Sequence, residues 1–138
     1  MRKAILFAVV GLVVLALGVP QAAAGSPHFV GAIEIDRDGN SLTVSGKLAG
    51  LGNEEQVDVQ ITVDAECINP GSKKPQAANK ETLAAAGTFP VQNGKADFSL
   101  TVTATLQPDC SPPMTLRFSN LTVTDVTHDI SQSFAGPF

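Results

Sequence analysis

The chain has no tryptophan and no tyrosine, and its aromatic content rests on seven phenylalanines. Trp and Tyr supply the flat amphipathic surfaces that stack on sugars and anchor interfaces. Their absence argues against a carbohydrate-binding module. Positive charge is also scarce, with nine Lys and Arg against thirteen Asp and Glu and a formal net charge of −4. Nucleic acid binding is disfavoured, because it needs a basic footprint to neutralise phosphates. Histidine occurs only at positions 28 and 128, so a Ser-His-Asp or Cys-His centre would have to use His28 or His128. The chain contains no nucleophile elbow, metal-protease helix or phosphate loop. No catalytic residue, metal-ligand set or cofactor is assigned, and the sequence reads as a non-enzyme.

After the N-terminus there is no long apolar run. Arg2 and Lys3 form a positive start, Ala4 to Leu17 an uncharged apolar stretch, and Ala22-Ala23-Ala24 a small-residue exit. That is the layout of a secretory signal peptide. The apolar stretch falls short of the roughly 20 residues that span a bilayer. No cysteine stands at the exit to carry a lipid anchor. The expectation is export, cleavage after Ala24, no membrane span afterwards, and one domain over residues 25–138. Losing Arg2 and Lys3 makes that domain still more acidic.

Cysteine is limited to Cys67 and Cys110. In an oxidising compartment one disulfide is expected. A two-cysteine metal site is the poorer reading, because zinc takes four ligands and the nearest histidine lies far along the chain. Closing a loop of about 43 residues is worth roughly 4 kcal/mol in the chain-entropy view.

What the chain has in abundance is alternation. Val57, Val59, Ile61, Val63 and Ala65 alternate with Asp58, Gln60, Thr62 and Asp64, and Cys67 continues the apolar parity. Ala96, Phe98, Leu100, Val102, Ala104 and Leu106 alternate with Asp97, Ser99, Thr101, Thr103 and Thr105. A period of two marks strands with one dry and one wet face. The pattern predicts strands near 28–36, 41–50, 56–66, 83–91, 96–107 and 113–119, with one or two more inside 120–134. Residues 77–86 are ambiguous with helix. Short strands, frequent turn signals and no clear helix point to an all-β antiparallel sandwich, immunoglobulin-like in general architecture, with about seven strands.

Two dipeptides predict hairpins. Asp38-Gly39 and Asn93-Gly94 suit type I′ turns, where both central residues take positive φ. The first pairs Ile35 with Leu42 and Ile33 with Val44. The second pairs Val91 with Ala96 and Phe89 with Phe98. Pro90 lacks the N–H that such a ladder needs, so an edge strand or a bulge is expected there.

Four stretches carry candidate chemistry. Asp36, Asp38 and Asn40 present oxygens at alternate positions, as the start of a calcium loop does. In a twelve-residue calcium loop, however, Ser41 would replace the required glycine and Lys47 the bidentate glutamate, so a hairpin tip is the better reading. His128 stands beside Asp129, but neighbours on a strand point to opposite faces, so Asp129 is poorly placed to orient the ring. Asn120-Leu121-Thr122 is a formal glycosylation triplet and reads as structural. The longest irregular segment, Ile68 to Lys80, carries Asn69, Lys73, Lys74 and Lys80 and leaves directly from Cys67. Long loops on rigid scaffolds often carry function, although lysines also keep a loop solvated.

The segments SPHFV (26–30), GKLAGLGN (46–53), CINPGSKKPQ (67–76), NGKADFSLTVT (93–103) and PDCSPPM (108–114) together resemble a group of small exported proteins of actinomycete-type bacteria. The resemblance covers essentially the whole exported chain. Ser72-Lys73-Lys74 departs from the C-x-N-P-G-G-N form typical of that group. The resemblance implies an exported location, a disulfide and a small single domain, and carries over no catalytic residues. The expected function is a secreted, non-enzymatic binding or cell-surface module. It is expected to be monomeric and to meet an extracellular or cell-envelope partner through Asn69, Lys73, Lys74 and Lys80. The alternatives are a calcium-stabilised module using Asp36–Asn40 and a small secreted hydrolase using His128.

Overall fold

The computed structural model describes residues 26–69 and 79–138. They form seven strands: β1 (His28–Asp38), β2 (Ser41–Ala49), β3 (Gln56–Ile68), β4 (Lys80–Pro90), β5 (Ala96–Thr103), β6 (Thr115–Asp125) and β7 (Ile130–Phe134). All pair antiparallel, in a three-stranded sheet of order β1-β2-β5 and a four-stranded sheet of order β4-β3-β6-β7. This is the expected β-sandwich. Its strand order is immunoglobulin-like, with the fourth strand on the edge of the second sheet.

The alternation along β3 and β5 sets which faces meet. Val57, Val59, Ile61, Val63, Ala65 and Cys67 are all buried, as are Ala96, Phe98, Leu100, Val102, Ala104 and Leu106. They close on Leu42, Val44 and Leu48 of β2 and Phe118, Leu121 and Val123 of β6. The outer face of β2 and β5 is a ladder of hydroxyl pairs, Ser41 with Thr103 (2.8 Å), Thr43 with Thr101 (2.8 Å) and Ser45 with Ser99 (3.3 Å). Such cross-strand pairs each add a few tenths of a kcal/mol, up to about 1. The ambiguity over residues 77–86 resolves as strand from Lys80 onward, where the chain pairs with β3; residues 77 and 78 lie outside the described residues.

Size complementarity organises one side of the core. Gly46 lies opposite Phe98 in the β2–β5 ladder. A side chain at Gly46 would place its Cβ 2.6 Å from the Phe98 ring. The ring occupies that space and meets Phe29 and Phe89 edge-on, with centroids 6.1 and 6.3 Å away.

Both hairpin expectations need correction. In the first, Asp38 pairs with Ser41 and Val44 with Ile35 in place of Ile33, so the turn is centred on Gly39-Asn40 and not on Asp38-Gly39. Gly39 alone takes positive φ (60°), which fits a type II′ turn with Gly at its first central position. The shift moves the pairs from Asp38 back to Glu34 by two residues and keeps the faces; an irregularity between Val30 and Glu34 then restores the expected register over His28–Ala49 to Val30–Lys47. Its consequence is that Arg37, not Ile35, stands opposite Leu42 on the inward face. The guanidinium lies 5.1 Å over the Phe118 ring and donates to Phe138 O at 2.9 Å, so it bridges the two sheets.

In the second hairpin the turn is correct and the pairing is not. Asn93 and Gly94 both take positive φ, and Gln92 and Lys95 exchange hydrogen bonds of 2.8 and 3.0 Å. Beyond that single bridge the chain parts, with β4 in one sheet and β5 in the other. Phe89 and Phe98 therefore meet across the core and not along a ladder. Pro90 ends the edge strand β4, where its missing N–H costs no ladder bond.

Strand β3 is the longest of the seven, with 13 residues. Its start adjoins the β2–β3 loop, the β4–β5 turn and the β6–β7 turn; its end adjoins the connections on either side of the disulfide. Cys67 bonds to Cys110, with Cα atoms 5.5 Å apart and a sequence separation of 43. In antibody domains the bridge joins two strands of opposite sheets; here it ties the end of β3 to the β5–β6 connection.

Because Phe98 is held by two other rings, it cannot yield to a methyl group. Gly46→Ala is expected to cost about 1–3 kcal/mol through overpacking, measured by urea denaturation of the oxidised protein.

Candidate functional site

At the disulfide end, charged side chains gather on the outer face of β3, β4 and β6. Glu66 is nearly buried and accepts from Arg117 Nη2 at 2.7 Å, with Lys80 Nζ at 3.8 Å on its other oxygen. Asp64 accepts from Thr82 Oγ1 at 3.0 Å and from Asn120 Nδ2 at 3.1 Å. Glu81, paired with the inward-facing Ala65, instead reaches toward the other sheet and accepts the Thr105 backbone N–H at 2.7 Å. A shallow depression of about 280 Å³ is lined by Asp64, Glu66, Lys80, Glu81 and Thr82. A second, of about 300 Å³, lies against Cys110 and includes Asn40, Asp109 and Ser111.

Of the expected contact residues, Lys80 opens β4 at this depression and Asn69 follows the last residue of β3. Lys73 and Lys74 lie outside the described residues. Glu66, Arg117 and Asp64 were not singled out from the sequence. They come together only because the β3–β6 register sets Glu66 opposite Arg117, 51 residues away in the chain.

Asn120 has a structural role, consistent with its sequence reading. Its φ of 53° falls in the left-handed region that Asn tolerates. It sits at the irregularity where the β3–β6 register shifts between Thr62 and Asp64. The bulge resets parity, so Phe118 and Leu121, three residues apart, both point into the core.

The Asp36–Asn40 turn is filled by its own chain. Arg37 Nε donates to Gly39 O at 3.0 Å, and Asn40 O accepts the Ala104 N–H at 2.8 Å. Two backbone oxygens of the turn are thus engaged, one of them by a cation. Among the described residues no cluster of three or more His, Cys, Asp or Glu could hold a metal ion.

The opposite end carries the most ordered polar arrangement. His128 lies not on a strand but in the turn between β6 and β7. Asp125, fully buried at the end of β6, accepts the His128 backbone N–H at 3.1 Å. Its second oxygen lies 2.6 Å from His128 Nδ1, and Glu54 Oε1 lies 2.8 Å from Nε2. Burial opposes charge on the ring most strongly. The hydrogen bonds and attraction of Asp125 and then Glu54 outweigh it and raise the pKa above the ordinary 6.5. The partner that orients the ring is therefore Asp125 and not Asp129. An Asp three residues before a His in a turn is a visible signal for this contact; Glu54, 74 residues away, leaves none. Both ring nitrogens face carboxylates, and neither faces a hydroxyl or thiol nucleophile.

A raised pKa means that folding favours the protonated ring. The stabilisation is complete below the unfolded-state value and is lost as pH rises through the folded-state value. Urea midpoints of the native protein are expected to fall across that window. In His128→Ala the slope disappears, and the buried Asp125 loses its ring donor at a cost of about 3–5 kcal/mol. For the Asp36–Asn40 turn, excess chelator is expected to leave the thermal melt unchanged. A lowered melting temperature that calcium restores would establish a cation there.

No protein-family model and no curated protein matches this chain, so the case for its function rests on its own side chains.

Proposed function

We propose that this chain is an exported, non-enzymatic binding module that meets a partner at the disulfide end of its sandwich. The contact surface comprises the connection between β3 and β4, including Asn69, Lys73 and Lys74, together with Lys80 and the depression beside it. The observation that carries the reading is the anchoring of that end. The disulfide pins the root of the connection at Cys67, and Glu66, held between Arg117 and Lys80, fixes the adjoining surface. A connection rooted on a rigid platform loses less conformational freedom on binding, which is where affinity is otherwise spent. The lysines favour an acidic partner on a chain that is otherwise acidic. Export is supported by the signal-like N-terminus and by a disulfide, which persists in oxidising surroundings.

The oxidised protein, immobilised and exposed to its own cell envelope and culture supernatant, is expected to retain a partner. The triple variant Lys73→Ala, Lys74→Ala, Lys80→Ala is expected to lose at least tenfold in affinity, about 1.4 kcal/mol, with only a small drop in melting temperature, because Arg117 still holds Glu66. Full retention by that variant would remove this surface from the proposal.

A further inference from the structure

The β2–β3 loop and the β6–β7 turn are joined by one side-chain chain that runs Asp125, His128, Glu54. We propose that this chain is a pH-operated latch. It holds the tip of the β2–β3 loop against the β6–β7 turn when the imidazole is protonated and frees the tip when the imidazole is neutral.

Two ionised carboxylates can only accept, and an imidazolium donates from both nitrogens, whereas a neutral imidazole donates from one. With contacts of 2.6 and 2.8 Å on both sides, only the protonated ring satisfies both partners. Once the ring is neutral, one nitrogen faces a carboxylate lone pair to lone pair, and that contact must open.

Burial decides which contact opens. The Asp125 side chain is 0% exposed and has no route to water, whereas the Glu54 side chain is 39% exposed. Losing the ring would leave Asp125 with only the His128 backbone N–H and one oxygen of a buried charge without a donor, which costs several kcal/mol. Glu54 can turn to solvent at almost no cost. The remaining proton therefore stays on Nδ1 and Glu54 lets go.

The surrounding charges sharpen the dependence on protonation. Residues 50–58 and 125–130 contribute Glu54, Glu55, Asp58, Asp125 and Asp129 and no Lys or Arg, so His128 is the one side chain there that can become positive. Asp58 turns its carboxylate to Thr88 Oγ1 at 2.6 Å and offers the turn only its backbone. Its N–H donates to Thr127 Oγ1 at 2.9 Å, and its carbonyl accepts from Val126 N at 2.9 Å. These bonds hold the β6–β7 turn in place in either protonation state. The pKa of His128 is raised by the same two carboxylates, which agrees with the latch but does not carry it.

The moving part is bounded. Leu51 N donates to Gly94 O at 3.0 Å, and Glu55 O accepts from Val91 N at 2.9 Å, so both ends of the loop are fastened to the neighbouring β4–β5 connection. Between them lie Gly52, Asn53 and Glu54, held locally by one long turn bond, Glu54 N to Leu51 O at 3.4 Å. Gly52, at φ 61°, supplies a hinge. The motion is therefore the release of a three-residue tip and leaves the sandwich intact.

The test uses the oxidised protein labelled with ¹⁵N, at one pH unit below and one above the midpoint of the His128 ring resonances. Order parameters of the Gly52–Glu54 amides are expected near 0.85 below the midpoint and under about 0.6 above it. In Glu54→Gln the amide can accept from or donate to Nε2, so the tip is expected to stay ordered at both pH values. Glu54 is at the surface, so this variant retains the fold. A tip equally ordered on both sides of the midpoint in the native protein would overturn the proposal. So would a pH step that survives in Glu54→Gln.

Discussion

The molecule depends on the register of β3. Its six inward side chains, Val57 to Cys67 at alternate positions, are all buried, and each contributes on the order of 1.5–3 kcal/mol for the larger aliphatics. It is hydrogen-bonded on both edges, to β4 and to β6. A slip of one residue would turn that whole row to water. It would also detach both ends of the molecule. Cys67 would face away from Cys110, and the Asp58 backbone would no longer meet Thr127 and Val126 in the β6–β7 turn. One hydrophobic alternation thus places a disulfide at one end and a histidine latch at the other.

That alternation was the most legible feature of the sequence, because a period of two is a local property that survives whatever partner the strand finds. The faces of β3 and β5 follow from it directly, whereas the cysteine pair follows from there being only two cysteines. Turn chemistry was legible only as far as the turn itself. Asn93-Gly94 makes the expected tight reversal, yet the strands it joins part into opposite sheets, and Phe89 and Phe98 meet edge-on across the core. At Asp38-Gly39-Asn40 the glycine sets the turn, and it serves one position earlier in the turn than expected. The two-residue shift leaves the faces unaltered, so polarity alone could not detect it. What it changes is the task of Arg37, which becomes the clasp over Phe118 and Phe138.

The polar sites were less legible for the same physical reason. Glu66 meets Arg117, and Glu54 meets His128, through pairings of strands distant in the chain, and charge carries no periodicity that announces such a meeting. On a strand Asp129 would be badly placed to orient His128. In a turn the relevant neighbour is three residues back, and nothing in the sequence marks Asp125 as buried.

The two ends are fastened by chemistry of opposite kinds. The Cys67–Cys110 bond is covalent and indifferent to pH in the folded protein, and it stands where a long connection must leave the sandwich without fraying it. The Asp125–His128–Glu54 chain is reversible, and the buried Asp125 is what makes it so. A carboxylate sealed from water can neither find a substitute partner nor do without one, so it keeps the single proton donor that a neutral imidazole retains. All of the change on deprotonation is thereby transferred to Glu54, the partner that water can accept. Burying one acid and exposing the other turns a symmetric pair of hydrogen bonds into a device with a direction. The contact surface proposed at the disulfide end lies at the far end of β3 from it, on strands whose pairing does not depend on that proton.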